Sequence, residues 1–187
     1  MKRIAIFASG SGSNAENIIR YFLDKEVAEV VLVLSNRSDA FVLQRAEKLA
    51  IPTVIFSTSE LKNSKKVLEA LKESNVSIVI LAGFLLKIPI ELIKSYPNAI
   101  VNIHPALLPN YGGRGMYGMN VHRAVVANKE AESGITIHYV TEHYDEGEYI
   151  FQASCPILNS DSPEEVQIKV QELEALHFPI VIESILS

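Results

Sequence analysis

Short apolar runs alternate with amphipathic stretches through the first half of the sequence. The apolar runs cover residues 3–8, 28–34, 53–56 and 77–81, and each is nearly continuous, as is typical of strands buried on both faces. The stretches between them, residues 15–24, 40–49 and 59–74, have the apolar spacing of amphipathic helices. Repeated strand and helix units predict an α/β fold with a parallel, doubly wound sheet.

The pattern changes after Ile88. Here the sequence predicts a short helix over residues 89–94, three more strands over 98–103, 135–140 and 149–156, and a closing helix over 162–186. Ser162 is expected to cap the closing helix and Pro179 to bend or break it. In doubly wound sheets, ligands bind beyond the carboxyl ends of the strands, where the chain reverses its direction of travel. The ends of the first and fifth strands therefore mark the expected site.

Composition limits the class of protein. The chain has 187 residues, 48% of them hydrophobic, and a net charge of −5, which favours a single globular domain over residues 1–187 and argues against a nucleic-acid partner. No window reaches the roughly 20 apolar residues of a membrane helix, and the N-terminal apolar run is too short for a signal peptide. The single cysteine, Cys155, excludes an internal disulfide. We therefore expect a cytoplasmic protein.

The segment SGSGSN, residues 9–14, directly follows the first predicted strand and opens a helix. Glycines allow backbone N–H groups to approach an anion, and a helix N-terminus adds free donors, so the segment favours phosphate binding. Gly10, Gly12 and Ala15 also fit the dinucleotide fingerprint, with Arg37 available for a 2′-phosphate. A third interpretation is a tight turn in which Ser13 or Asn14 merely caps the helix.

The segment NIHP, residues 102–105, ends the fifth predicted strand. Asn102 and His104 lie two residues apart and so share a face of the strand, while Pro105 fixes the exit of the chain. An amide donor beside a group that titrates near neutrality suits acyl transfer, because one stabilises an oxyanion and the other moves a proton. The alternative is a structural pair of hydrogen-bonded side chains.

The segment HYVTEHYDEGE, residues 138–148, holds the carboxylates that are candidates to orient His104. Spacing alone does not choose among the four acids, Glu142, Asp145, Glu146 and Glu148. The histidines lack the spacing of a zinc site, and Cys155 lies in a strand-like run where a buried structural thiol is expected. We therefore predict no metal and no cysteine nucleophile.

Several ordered motifs together resemble the phosphoribosylglycinamide formyltransferase family. They are SGSGSN, SNRSDA, LAGFLLKI, NIHPALLP, GITIHYV, YDEGEYIFQ and VQELEALHFPIVI, and they cover essentially the whole chain. The resemblance implies a single-domain, Rossmann-like formyltransferase fold, mostly parallel early with antiparallel strands toward the C-terminus. It implies transfer of the formyl group of 10-formyltetrahydrofolate to the amine of phosphoribosylglycinamide, in purine biosynthesis. It also implies that Asn102, His104 and Asp145 form the catalytic group.

The resemblance also implies the binding residues. By analogy with the family, the ribotide phosphate is held by Gly12, Ser13 and Asn14, and the ribose by Glu174 with Gln171 nearby. The folate is bound by Leu85, Leu86, Lys87 and Ile88, together with Asn102. A further basic residue of the family corresponds to Lys62, Lys65 or Lys66, without a choice among them.

One departure from the family is the insertion GGRGMYGMN, residues 112–120. We expect a flexible loop beside the site, with an open role in substrate access or subunit contact. The expected partners are small molecules, with no nucleic acid and no membrane, in a monomer or homodimer. Two alternative functions stay open, an NADP-dependent reductase and a ribonucleotide-binding module without catalysis.

Overall fold

A computed structural model describes residues 1–187, and its centre is one seven-stranded sheet. The strands, in spatial order β3-β2-β1-β4-β5-β6-β7, are β1 (Lys2–Phe7), β2 (Ala28–Ser35), β3 (Thr53–Ile55), β4 (Ile78–Leu81), β5 (Ile100–His104), β6 (Glu132–Tyr139) and β7 (Tyr149–Pro156). Strands β1 to β5 pair in parallel, whereas β6 and β7 are antiparallel. The predicted α/β architecture, parallel early and antiparallel late, is confirmed.

Seven helices connect and cover the strands. They are α1 (Ser13–Phe22), α2 (Phe41–Lys48), α3 (Thr58–Asn63), α4 (Lys65–Glu73), α5 (Ile90–Ser95), α6 (Met119–Ala127) and α7 (Pro163–Leu186). The expected single helix over residues 59–74 is wrong, because Ser64 adopts a left-handed φ of 62° and separates α3 from α4. Helix α6 was not expected, and it begins inside the glycine-rich insertion. None of these helices is both long and apolar enough to cross a membrane.

The core lies on both faces of the sheet, as the near-continuous apolar runs require. In β1, Ile4 and Ile6 pack on one face with α1 and α7, while Ala5 and Phe7 pack on the other with α3, α4 and α5. Strand β1 lies between β2 and β4, so the chain reverses its direction of travel at the β1/β4 boundary. The loops that follow β1, β4 and β5 therefore meet at the same edge of the sheet.

Helix α7 continues through Pro179, contrary to the expected break. Proline has no N–H, so the carbonyl of Ala175, four residues earlier, loses its partner within the helix. The side-chain amide of Asn17, on α1, donates a 2.8 Å hydrogen bond to that carbonyl. The neighbouring helix thus replaces the bond that the proline removes.

This replacement predicts an energetic coupling between Asn17 and Pro179. We expect Asn17→Ala to lower the free energy of unfolding by about 1 kcal/mol, the usual net value of one hydrogen bond. In a Pro179→Ala background the new N–H at position 179 can bond the Ala175 carbonyl, so the same change at Asn17 should cost clearly less. Urea denaturation of the four proteins of this double-mutant cycle measures the difference, and equal costs would contradict the interpretation.

Candidate active site

A cavity of about 440 Å³ lies beyond the carboxyl ends of β1, β4 and β5. The catalytic, ribotide and folate residues predicted from the sequence line this cavity: Gly12, Ser13, Asn14, Leu85, Leu86, Lys87, Ile88, Asn102, His104, Asp145, Gln171 and Glu174. They come from segments more than 150 residues apart in the chain, since Asn14 and Glu174 are separated by 160 positions. The structure thus brings the predicted residues into one place.

The segment after β1 presents the N-terminus of α1 to the cavity. Gly12 caps the helix with a left-handed φ of 74°, and a side chain there would overlap Val42. No side chain caps the helix, so the interpretation in which Ser13 or Asn14 serves only as a cap is wrong. The N–H groups of the first turn of α1 have no carbonyl partner within the helix, which suits an anion.

Helix α2 supports this segment from behind. The N–H of Val42 donates to the carbonyl of Gly10 at 3.1 Å, and Arg45 Nε donates to the carbonyl of Ser11 at 2.8 Å. These two carbonyls are therefore held against α2. Arg37, the residue that the dinucleotide interpretation requires, instead pairs with Asp39 at 2.8 Å, and it is not among the residues that line the cavity.

Asn14 and Glu174 meet across the gap between α1 and α7. The Asn14 amide donates to a Glu174 carboxylate oxygen at 2.8 Å. Burial raises the pKa of Glu174, and the Asn14 hydrogen bond opposes that rise by favouring the anion. A second polar side chain of α7, Gln171, also reaches the cavity. At this end of the cavity, the side-chain oxygens of Glu174 and Gln171 can therefore accept hydrogen bonds.

Asn102 lies directly opposite His138 in the antiparallel pairing of β5 with β6. The Asn102 amide nitrogen and His138 Nε2 are 3.2 Å apart, and His138 Nδ1 is 2.9 Å from the carbonyl of Tyr139. Because a carbonyl only accepts, Nδ1 carries the proton, and in the neutral ring Nε2 accepts from Asn102. His138 was not predicted as a site residue, although it faces Asn102 from the next strand. The register of β5 with β6 would have identified it.

His104 is buried, with both ring nitrogens near acceptors. Nε2 lies 2.7 Å from the carbonyl of Tyr111, and Nδ1 lies 3.7 Å from Asp145 Oδ2. Burial lowers the pKa of His104, while the Asp145 carboxylate and the Tyr111 carbonyl act in the opposite direction. Since Nε2 must donate to the carbonyl, Nδ1 is the nitrogen whose protonation changes.

Asp145 lies in the turn between β6 and β7, and its backbone is left-handed with a φ of 55°. Gly147 allows the turn to close, because a side chain there would overlap the carbonyl of Tyr139. Asp145 faces both histidines, with Oδ2 3.7 Å from His104 Nδ1 and Oδ1 3.6 Å from His138 Nε2. The three other acids that the sequence left open, Glu142, Glu146 and Glu148, are exposed. Of the four acids, the structure brings only Asp145 to His104.

The carboxylate of Asp145 is held as an anion in a partly buried position. Burial by itself would raise the pKa of Asp145. His138, when its ring is protonated, and the hydrogen bond from the N–H of Gly113 outweigh burial, so the pKa of Asp145 is lowered below its usual value. A negative charge is therefore retained beside His104.

The segment Leu85–Ile88 forms another wall of the cavity, and Ser9 fixes its start. The Ser9 hydroxyl accepts the N–H of Leu85 at 3.0 Å and donates to Asn36 at 2.7 Å. The Lys87 ammonium lies 5.3 Å from the centre of the Tyr144 ring. The three lysines of the ambiguous position, Lys62, Lys65 and Lys66, do not line this cavity. No group of three or more potential ligands is arranged to hold a metal ion.

Similarity to known proteins extends over nearly the whole chain. Residues 2–182 match the protein family described as Formyl transferase. The chain belongs to the formyl transferase family. The family resemblance inferred from the sequence motifs is confirmed.

Members of the family with curated names include bacterial and plant proteins. The phosphoribosylglycinamide formyltransferase of Haemophilus influenzae is 33% identical over 187 residues, which cover 97% of this chain and 86% of that protein. The chloroplastic phosphoribosylglycinamide formyltransferase of Arabidopsis thaliana is 38% identical over 175 residues, which cover 90% of this chain. The chain spans only 60% of the length of that plant protein and 61% of its Vigna unguiculata counterpart.

A solved structure of the family has the same fold. Glycinamide ribonucleotide transformylase 1 from Geobacillus kaustophilus superposes with a TM-score of 0.91 at 31% identity, and the match covers 100% of both chains. The formyltransferase fold inferred from the sequence motifs is confirmed.

The geometry predicts how His104 responds to its neighbour. We expect Asp145→Asn to lower the pKa of His104, because the carboxylate that favours the imidazolium is removed while burial is retained. NMR titration of the imidazole Cε1–H signals measures this pKa. Glu146→Gln is the matched control, since it removes the adjacent, exposed carboxylate. An unchanged pKa in Asp145→Asn would show that the two side chains do not interact.

Proposed function

We propose that this protein transfers the formyl group of 10-formyltetrahydrofolate to the amine of phosphoribosylglycinamide, a step of purine biosynthesis. The observation that supports the proposal is the meeting of Asn102, His104 and Asp145 in one cavity, between an anion-binding helix N-terminus and the Leu85–Ile88 segment. The names carried by relatives with whole-chain similarity agree with it.

The ribotide is proposed to bind along α1 and α7. Its phosphate would accept from the backbone N–H groups of Gly12, Ser13 and Asn14, where the helix dipole also favours an anion. Its ribose hydroxyls would donate to Glu174, with Gln171 beside it. The Asn14–Glu174 hydrogen bond supports this assignment, because it couples the phosphate end of the site to the ribose end.

The folate co-substrate is proposed to bind at the Leu85–Ile88 segment, with Asn102 at the formyl group. Leu81 and Val140 supply apolar surface at the cavity, and backbone polar groups of the segment are available to the edge of a pterin ring. Leu85 is half exposed and available for contact with a ligand. Such a site, apolar with a few fixed polar groups, is typical for a ligand with a flat ring.

The reaction proposed here is attack of the ribotide amine on the formyl carbon. The new C–N bond turns the formyl oxygen into an oxyanion, which accepts from the Asn102 N–H that is not directed at His138 and from protonated His104. His104 Nδ1 then gives its proton to the folate N10 as the C–N10 bond breaks and the oxyanion re-forms the formyl C=O bond, and the attacking nitrogen returns one proton to Nδ1. Atoms and charge balance, and no metal is needed.

The protonation of His104 is the step that the surroundings have to support. Burial favours the neutral ring, but the imidazolium has an acceptor for each nitrogen, the Tyr111 carbonyl at Nε2 and the Asp145 carboxylate near Nδ1. A developing oxyanion in the cavity places a further negative charge near the ring. We infer that the charged ring is favoured in the transition state, where it is required.

The remaining properties of the whole protein stay proposals. The chain is proposed to act as one formyltransferase domain over residues 1–187, in the cytoplasm, as a monomer or homodimer and without a nucleic-acid partner. The NADP-dependent alternative requires Arg37 at the nucleotide, but Arg37 is paired with Asp39. The binding-module alternative leaves the buried group of Asn102, His104 and Asp145 without a use.

Removal of either oxyanion partner should abolish most of the turnover. For Asn102→Ala and His104→Ala we expect kcat to fall by about 100- to 1,000-fold, the usual cost of one oxyanion donor. The folate absorbance change, followed with both substrates present, measures the rate, and circular dichroism checks that each variant is folded. Asn159→Ala, a change of an exposed amide between β7 and α7 that does not line the cavity, is the control.

The same assay separates the competing functions. Near-wild-type kcat in either variant would contradict the proposed roles of Asn102 and His104. Loss of the formyl group without the ribotide would indicate a hydrolase, and saturable binding of NADPH, followed by its fluorescence, would favour a reductase. A protein that binds both substrates without any absorbance change would be a binding module.

The ribose assignment predicts an effect on binding rather than on chemistry. We expect Glu174→Gln to raise the KM for the ribotide by about 10- to 100-fold, the range for a lost hydrogen bond to a charged group. The KM for the folate should stay unchanged, because Leu85–Ile88 lies on another wall of the cavity. Glu172→Gln, an exposed acid on the same helix, is the matched control. Equal effects on both KM values would contradict the assignment.

A further inference from the structure

The backbone from Tyr111 to Gly113, at the start of the glycine-rich insertion, contacts both His104 and Asp145. The Tyr111 carbonyl accepts from His104 Nε2 at 2.7 Å, and the N–H of Gly113 donates to Asp145 Oδ2 at 2.8 Å. Asp145 Oδ2 is also the oxygen that faces His104 Nδ1 at 3.7 Å. Three residues of main chain therefore connect His104 Nε2 with the Asp145 oxygen that faces His104 Nδ1.

We propose that the Tyr111–Gly113 backbone is a positioning element for the reaction, in which the Gly113 N–H holds Asp145 Oδ2 toward His104. This inference rests on the proposed function for its catalytic meaning, and on the hydrogen bonds alone for its geometry. It gives the insertion a role in the chemistry, beyond the access or subunit contact considered from the sequence.

The geometry explains why the donor has to be a main-chain group. Asp145 lies in the turn between β6 and β7 with a left-handed backbone, and rotation of its side chain could turn Oδ2 away from His104. A donor on a rigid backbone fixes that rotation at a smaller cost in side-chain entropy than a lysine or arginine would. Gly112 is packed against this carboxylate as well, because a Cβ on Gly112 would lie 3.4 Å from Asp145 Cβ.

Glycine at position 113 is required by the backbone rather than by space. Its φ is +88°, a conformation that side chains with a Cβ rarely adopt, although a Cβ there would meet no atom within 4 Å. Gly115 has nearly the same conformation, with a φ of +87° and equally open surroundings, but its carbonyl bonds the Asn120 side chain and it makes no contact with Asp145. The chain therefore offers a matched pair of glycines.

The experiment compares Gly113→Ala with Gly115→Ala in the full-length protein. In Gly113→Ala we expect kcat to fall by about 10- to 100-fold, the range for one charge-assisted hydrogen bond, while both KM values change by less than about threefold. The pKa of Asp145 should rise and that of His104 should fall, which moves the pH profile of kcat. In Gly115→Ala, kcat and both pKa values should stay as in the wild type.

Titratable groups around the pair are few, so the pKa shifts can be assigned. His104 from β5 and His138 from β6 face Asp145, and His122 from α6 lies in the same cavity, where burial and then the charge of His104 lower the pKa of His122. NMR titration without substrates follows the histidine ring signals and the Asp145 carboxyl carbon as the pH is changed. If the wild type has no transferase activity, the proposed function fails, but these titrations still test the positioning role.

Two further measurements keep the proposal open to refutation. Gly113→Asn should recover much of the loss, because both variants retain the N–H but asparagine tolerates positive φ better than alanine does. In the wild type, the Gly113 amide proton should shift with the titration of Asp145 and the Gly115 amide should not, which needs no variant to fold. Equal losses of kcat in the two alanine variants would overturn the proposal. A Gly113 amide proton whose shift does not follow the titration of Asp145 would also overturn it.

Discussion

Strands β5 and β6 pair antiparallel with Asn102 opposite His138, and this register determines which polar groups meet beyond the sheet. A slip of one residue would place Ile137 or Tyr139 opposite Asn102 and turn the side chains of β6 to the other face. His104 would then lose the turn that carries Asp145, because that turn begins directly after β6. The close approach of Gly147 to the carbonyl of Tyr139 and the hydrogen bond from the Tyr139 N–H to the Glu148 carbonyl hold the β6–β7 turn in place.

The electrostatics of the site follow from the burial of a histidine and a carboxylate side by side. Burial makes His104 a weaker base, whereas Asp145 stays ionised because donors and a histidine surround it. Asp145 is therefore negatively charged beside His104, whose ring is positive only when both of its nitrogens carry protons. An enzyme that needs a proton donor in the transition state gains from this arrangement, since the ring is most readily charged when an oxyanion forms in the cavity.

Periodicity was sufficient for much of the fold, because buried parallel strands and amphipathic helices leave strong patterns. It failed at Ser64, where one backbone angle divides a helix in two. It also failed at Pro179, where the distant side chain of Asn17 replaces the hydrogen bond that the proline removes from the helix. In the site, strand alternation places Asn102 and His104 on one face, but no spacing rule selects Asp145 from its neighbours. His138 could not be identified because its role depends on strand register, which periodicity alone does not reveal.

The ribotide end of the cavity depends on contacts between the two ends of the chain. Helix α7 contacts α1 through Asn14 to Glu174 and Asn17 to the Ala175 carbonyl, and it contacts the segment after α1 through Lys25 to Glu183. Without α7, the first turn of α1 would still present its N–H groups, but the proposed ribose contacts would be absent. The proposed phosphate site is thus a local product of residues 9–14, while the proposed selection of a ribotide over other phosphates would require α7 to pack against α1.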